Sequence, residues 1–181
     1  MTTVLHEMSW TVYESPLGSL TLVAKPNRAL GRILFPAEQP GQGEPALVGE
    51  SDREALAPVV AQLDEYFDGA RERFDLAVEL TGTPLQLAVW ERLRRIPYGE
   101  TVSYGELTAD LDAAVFPADL ESYQRVRAVG TEIGRTPVPI VVPCHRVIGA
   151  DGSLTGYGGG LDRKRALLDL EQGVAQLLPL A

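Results

Sequence analysis

The 181-residue sequence predicts two successive architectures, an α/β domain over residues 1–82 and a mainly helical domain over residues 83–181. The first 35 residues hold short extended runs broken by turn signals, and one amphipathic helical segment follows them. After residue 82 the texture changes to capped helices. A hydrophobic content of 45% is ample for a core.

In chain order, "TVYESPLGSLTLVAK" places two extended runs around Pro16-Leu17-Gly18, and "ALGRILF" supplies a third strand. Residues 36–50, "PAEQPGQGEPALVGE", are rich in Pro, Gly and Glu and read as an exposed loop. Within "DREALAPVVAQLDEYFDG", Leu56, Val59, Val60, Leu63 and Phe67 recur at helical spacing, and Gly69 is placed to end the helix. "RFDLAVELTGT" reads as a short strand leading into the link. Thr83, Pro84 and Gln86 then supply an N-cap, a first-turn proline and a capping-box glutamine. Val89, Trp90, Leu93 and Ile96 give that helix its buried face, and Pro97-Tyr98-Gly99 stops it. Ser103 and Glu106 repeat the capping pattern ahead of "YGELTADL", and Val126, Val129 and Ile133 mark a third helix in "SYQRVRAVGTEIG". A helix pair carrying arginines is compatible with a helix-turn-helix, a pattern that many unrelated helix pairs share.

Charge does not by itself point to nucleic acid. The net charge is −9, and residues 1–83 carry most of it, with 6 basic and 13 acidic groups against 10 and 12 in residues 84–181. Arg125, Arg127, Arg135 and Arg146 share a span whose only acid is Glu132. The start, "MTTVLHEMSW", lacks the basic stretch and apolar run of a secretory signal, and no apolar run nears the roughly 20 residues that span a bilayer. A single cysteine forms no internal disulfide, and one Cys with two distant His does not furnish a zinc ligand set. The expectation is a cytoplasmic, soluble protein without metal or cofactor.

That cysteine lies in "PVPIVVPCHRVIG", residues 137–149. Prolines flank Val138, three β-branched residues follow, and the segment is expected to be extended, stiff and buried, with Pro143 fixing the backbone before the thiol. Two readings stay open on these residues: Cys144 is a small core hydrophobe, or a nucleophile whose proton the adjacent His145 takes. Glu171, in the helical "DRKRALLDLE", shares a face with Leu167 and Leu168, so it either points inward to orient the imidazole or ends the helix in solvent. Between them "GADGSLTGYGGGLD" has no phosphate-loop spacing and reads as a flexible flap beside the thiol.

Together these segments resemble the O6-alkylguanine-DNA alkyltransferases (methylated-DNA–protein-cysteine methyltransferases). The resemblance runs through "SPLGSLTLVA", "LDEYFDG", "GTPLQLAVWERLRRIPYGETVSYGEL", "RAVG", "PVPIVVPCHRVIG", "GYGGGL" and "KRALLDLE", nearly the whole chain. It implies a ribonuclease H-like α/β domain with a small antiparallel sheet, then a helical, winged-helix-like domain with a helix-turn-helix. It also implies a monomeric partner of double-stranded DNA containing O6-alkylguanine, and O4-alkylthymine as a further substrate. The base is flipped out through the minor groove. Cys144, assisted by His145 and Glu171, keeps the alkyl group, so each molecule acts once and needs no cofactor.

By the same resemblance, Arg127 fills the place of the flipped base, and Tyr104 promotes flipping and donates to the leaving guanine. Arg125, Arg135 and Thr136 join them as DNA-binding residues. Tyr157, Gly158, Val147, Ile148 and Pro139 line the substrate pocket. Trp90 and Leu93 are core.

Three departures bear on the DNA-reading surface. Thr136 stands where relatives usually carry Asn before the first proline; Thr131 and Glu132 replace small residues after "RAVG"; and "TADLDAAVFPADLESYQ" is longer than the family's short turn, bringing Asp110, Asp112, Asp119 and Glu121. Three alternatives accompany the alkyltransferase reading. A cysteine hydrolase would need a separate signature and an oxyanion hole. An alkyltransferase-like binding protein would typically lack the cysteine. A relative adapted to another alkylated substrate would keep it.

Overall fold

In the computed structural model, residues 8–36 and 49–174 are described. The chain divides into two compact units with the boundary between Glu79 and Leu80.

The first unit is a four-stranded sheet of order β3-β2-β1-β4 with one helix. Strands β1 (Met8–Ser15) and β2 (Gly18–Ala24) form an antiparallel hairpin running from Ser9↔Ala24 to Ser15↔Gly18. Gly18 takes a φ of 100° at the turn, where the Ser15 hydroxyl donates to its carbonyl at 2.7 Å. β3 (Leu30–Leu34) pairs antiparallel to β2. Two sequence expectations change here. Gly49 and Glu50, read as loop, form with Ser51 the strand β4, parallel to β1; its backbone pairs without any apolar alternation to announce it. Residues 37–48 of that expected loop lie outside the described residues. "RFDLAVELTGT", read as a strand, contributes only a bridge at Val78, bracketing Leu30 through Leu30 N–H to Ala77 O and Glu79 N–H to Leu30 O.

Helix α1 (Ala57–Phe67) starts later than the apolar spacing implied, because Leu56 serves as its N-cap and Pro58 sits in the first turn. Gly69, at φ 72°, ends it; Gly69 N–H reaches Tyr66 O and Ala70 N–H reaches Glu65 O. Val59, Leu63, Tyr66 and Phe67 are buried, and Tyr13 of β1 donates to Asp64 at 2.7 Å.

The second unit begins with α2 (Pro84–Leu93), capped as expected: Thr83 Oγ1 accepts from Gln86 N–H and Gln86 Oε1 from Thr83 N–H. β5 (Val102–Ser103) leads into α3 (Tyr104–Ala109), capped in the same way by Ser103 and Glu106. A connector containing one 3-10 turn (Ala113–Val115) joins α3 to α4 (Ser122–Gly134). A second 3-10 turn (Cys144–Arg146) runs into β6 (Val147–Ile148), parallel to β5, and α5 (Leu161–Glu171) follows. Val89, Leu93, Ile96, Leu107, Val129, Val138, Val147 and Leu167 form the core; burying each apolar side chain stabilises the fold by about 1.5–3 kcal/mol. Among the described residues no helix is long and apolar enough to cross a membrane.

Candidate active site

The segment before Cys144 is buried but not extended, correcting the sequence reading. Val142 N–H returns to Val138 O at 2.9 Å, and Ile140 takes a φ of 74°, a left-handed conformation that a β-branched residue adopts at a cost of about 1–3 kcal/mol. Buried Val138, Ile140 and Val142 hold this turn in place. Pro139 sits within it, also buried. The turn delivers Cys144 to the first position of a 3-10 turn, 4% exposed, with its N–H on Val142 O at 2.8 Å. Burial pushes the thiol up to about 11; a hydrogen bond with the Thr136 side chain, the Lys164 cation and the backbone N–H groups of Cys144 and His145 pull the other way.

Behind the thiol lies a buried ionic chain. His145 Nε2 is 2.8 Å from Glu171 Oε1, and Arg146 donates Nε to Oε2 and Nη2 to Oε1, each at 2.8 Å. Arg146 Nη1 donates to Ile96 O at 2.6 Å, and Gly99 N–H to Glu171 Oε2 at 3.2 Å. Glu171 therefore points inward, as the helical spacing allowed. Burial alone would raise its pKa, but the hydrogen bonds from His145 and Arg146 hold the carboxyl well below the usual range. An ionised Glu171 accepts the Nε2–H of His145 and fixes that tautomer. Nδ1 then carries a lone pair, buried and without a hydrogen-bond partner among the described residues. Burial lowers the His145 pKa despite the Glu171 hydrogen bond, so the ring is neutral at neutral pH. Gly99, at φ 75°, is held close; a Cβ there would stand 3.0 Å from Glu171 O.

The glycine-rich loop is tethered rather than a free flap. Lys164, fully buried, donates to Val147 O at 2.5 Å and to Thr155 O at 2.7 Å. Tyr104 Oη donates to Thr155 O at 2.9 Å, and Arg163 to Gly159 O at 2.7 Å. Lys164 lies 5.9 Å from the centre of the Tyr104 ring, and burial lowers its pKa to about 8. Burial pushes the Tyr157 phenol well above its ordinary value, and the charge of a Cys144 thiolate acts in the same direction. Gly158 is exposed; Val147 is fully buried and Ile148 half-buried. Lys164 was missed in the sequence although Lys164, Leu167, Leu168 and Glu171 share one helical face, the spacing that singled out Glu171.

The arginines of α4 part company. Arg127 is exposed. Arg125 lies over the Phe116 ring at 5.3 Å and donates Nε to Leu120 O at 3.0 Å. Arg135 pairs with Glu132 at 3.1 Å. Glu132 also accepts from Gln86 Nε2 at 2.8 Å, and its carbonyl accepts from Trp90 Nε1 at 3.0 Å, so its carboxylate is turned into the domain. Thr131 Oγ1 donates back to Arg127 O at 3.0 Å. Thr136 donates its hydroxyl to Ile133 O at 2.7 Å, bracing the end of α4. Among the described residues no group of three or more His, Cys, Asp or Glu could hold a metal ion.

Comparison with known proteins accounts for both units. Residues 8–80 match the family model of the 6-O-methylguanine DNA methyltransferase ribonuclease-like domain, and residues 84–173 that of the same family's DNA binding domain. The methylated-DNA–protein-cysteine methyltransferase of Mycobacterium tuberculosis (strain H37Rv) is 43% identical over 163 residues, 90% of this chain and 91% of the relative. The inducible methylated-DNA–protein-cysteine methyltransferase of Bacillus subtilis is 43% identical over 164 residues, 90% and 85%. The crystal structure of Mycobacterium tuberculosis OGT in complex with DNA superposes with a TM-score of 0.77 at 42% identity, covering 92% of this chain and 94% of that one. With a model matched in each half and relatives aligned along nine-tenths of its length, the chain belongs to the 6-O-methylguanine DNA methyltransferase family.

Proposed function

We propose that this chain repairs DNA by direct reversal, moving the alkyl group from O6 of guanine in double-stranded DNA to Cys144, once per molecule. O4-alkylthymine is the second substrate, and the protein acts as a monomer. The observation that carries the reading is the buried chain Arg146–Glu171–His145, which leaves the bare Nδ1 of the imidazole next in sequence to a buried thiol.

The steps follow from that arrangement. His145 Nδ1, directly or through a water, takes the thiol proton, and Glu171 stabilises the imidazolium through Nε2–H. The thiolate sulfur attacks the alkyl carbon in line; the C–S bond forms as the C–O6 bond breaks, and the electron pair passes into the guanine ring. Tyr104, whose hydroxyl donates to Thr155 O in the free protein, gives its proton to the departing base, which leaves as intact guanine, and the His145 imidazolium returns the thiol's proton to the Tyr104 oxygen through water. Tyr157, Gly158, Pro139 and the backbone of Val147 and Ile148 line the base pocket, with Lys164 holding Val147 O and Thr155 O in position. Arg127 enters the stack in place of the extruded base. Arg135 and Thr136, at the C-terminal end of α4, bind the same duplex. The whole chemistry belongs to residues 83–181.

Incubation with a duplex carrying one O6-methylguanine, followed by intact mass and peptide mapping, tests the reading. A single added methyl on Cys144 supports it. Tight binding of the modified duplex with an unmodified Cys144 would overturn it in favour of a binding protein without transfer.

A further inference from the structure

The connector between α3 and α4 has a folded interior. Phe116 is 7% exposed, and the 3-10 turn before it is capped by Asp112, which accepts from Ala114 N–H at 2.8 Å. Pro117 O accepts from Leu120 N–H at 3.2 Å, closing a second turn. Both ends are tied to neighbouring helices. At the first, Asp110 accepts from Arg92 of α2 through Nε at 2.9 Å and Nη2 at 2.5 Å. At the second, Arg125 of α4 covers the Phe116 ring and bonds Leu120 O.

Two consequences follow. Of the four connector carboxylates, Asp110 is paired with Arg92, so the segment carries one uncompensated negative charge fewer than its composition implies. Arg125 also lies two residues from Arg127, and side chains at that spacing do not share a helix face. Tyr123, 65% exposed, stands one turn before Arg127 on the face that Arg127 shares, while Arg125 is directed to the connector.

We propose that the connector is an internal clamp on the start of α4, with Arg125 its positioning residue rather than a phosphate ligand and Phe116 its seat. The clamp presents the Tyr123–Arg127 face to the duplex already ordered. This rests on the reading that α4 meets DNA; the clamp itself is a property of the free protein.

Arg125→Lys separates the two roles. It keeps the charge a phosphate ligand needs but loses the planar guanidinium that stacks on Phe116 and the Nε–H that bonds Leu120 O. Transfer from duplex O6-methylguanine is measured for wild type, Arg125→Lys, Arg125→Gln and Phe116→Leu, with the salt dependence of duplex binding and hydrogen exchange of the α4 first-turn amides in the free protein. The clamp predicts similar losses for Arg125→Lys and Arg125→Gln, about 5–10-fold in duplex transfer. Exchange at the start of α4 quickens in both, and the salt slope of Arg125→Gln stays at the wild-type value. Phe116→Leu, which keeps an apolar core, reproduces the faster exchange while its reaction with free O6-benzylguanine stays at the wild-type rate. A wild-type rate in Arg125→Lys, with a salt slope reduced by about 0.9 in Arg125→Gln, identifies a phosphate ligand and overturns the proposal. Unchanged exchange in all variants overturns it as well. A wild type that exchanges as described but transfers nothing overturns the repair reading and leaves the clamp standing.

Discussion

His145 Nε2 and Glu171 Oε1 stand 2.8 Å apart with both side chains wholly buried, and the second oxygen of the same carboxylate holds Arg146. One carboxylate thus sets a tautomer and neutralises a buried guanidinium. Glu171→Gln removes the charge: the amide oxygen still accepts from Nε2–H, but it neither stabilises the imidazolium nor neutralises Arg146. It is expected to slow alkyl transfer on the order of 10²-fold and, by leaving Arg146 unpaired, to destabilise the protein by about 3 kcal/mol. Single-turnover rates and urea unfolding measure the two losses separately. A variant with normal stability and slow transfer would contradict the structural half of this assignment.

The pH dependence follows from the directions of the shifts. Burial holds His145 below its ordinary 6.5, so the base is neutral and competent at pH 7, and the transfer rate falls only as pH drops below that value. Glu171 is held below 4.5; its stabilisation is present above that pH and is lost as pH falls through the lowered value. Cys144 is raised from 9.0 to about 11, so the unfolded chain ionises first and stability declines between those pH values. A thioether cannot ionise. The alkylated protein is therefore expected to lose this alkaline decline, which melting curves at pH 8 and pH 10.5 can resolve.

Lys164→Met keeps the apolar stem and deletes the ammonium that holds Val147 O and Thr155 O. Two charge-assisted bonds disappear, the one to Val147 O buried, so a stability loss of about 2–3 kcal/mol is expected, together with a slower reaction with free O6-benzylguanine because the pocket wall is no longer fixed. Equal rates for the variant and the wild type on the free base would remove Lys164 from the pocket.

The Thr136 hydroxyl donates to Ile133 O in the resting protein and, turned to the thiolate once it forms, lowers the Cys144 pKa. Thr136→Val is expected to raise the pH at which Cys144 reacts with iodoacetamide, with Thr136→Ser restoring it. Ile133 O keeps the Thr136 N–H at 3.2 Å in either variant, so the end of α4 survives the change.

Much of this was legible in the sequence because it is encoded locally. The capping boxes at Thr83 and Ser103, the stop at Gly69 and the helix over "SYQRVRAVGTEIG" depend on residues three or four apart, and all stand as read. The strand β4 depends on backbone pairing with a distant partner, and Val78 bridges without an extended ladder around it. The turn at Ile140 runs against the β propensity of "IVV", because burial between Val138 and Val142 outweighs local preference. At the site, Glu171 was legible from its helical face and Lys164, on the same face, was passed over. The pairing of Arg146 with Glu171, and of Arg125 with Phe116, joins segments whose approach no local spacing reports.

The central claim is that Cys144 becomes the permanent acceptor of the alkyl group, and the most direct measurement is the intact mass of the protein after mixing with excess duplex containing O6-methylguanine. The account predicts one methyl group per chain, located on Cys144, with no further gain however long the incubation and none in Cys144→Ser. A mass that stays at the unmodified value, or a methyl group that still appears in Cys144→Ser, would contradict it.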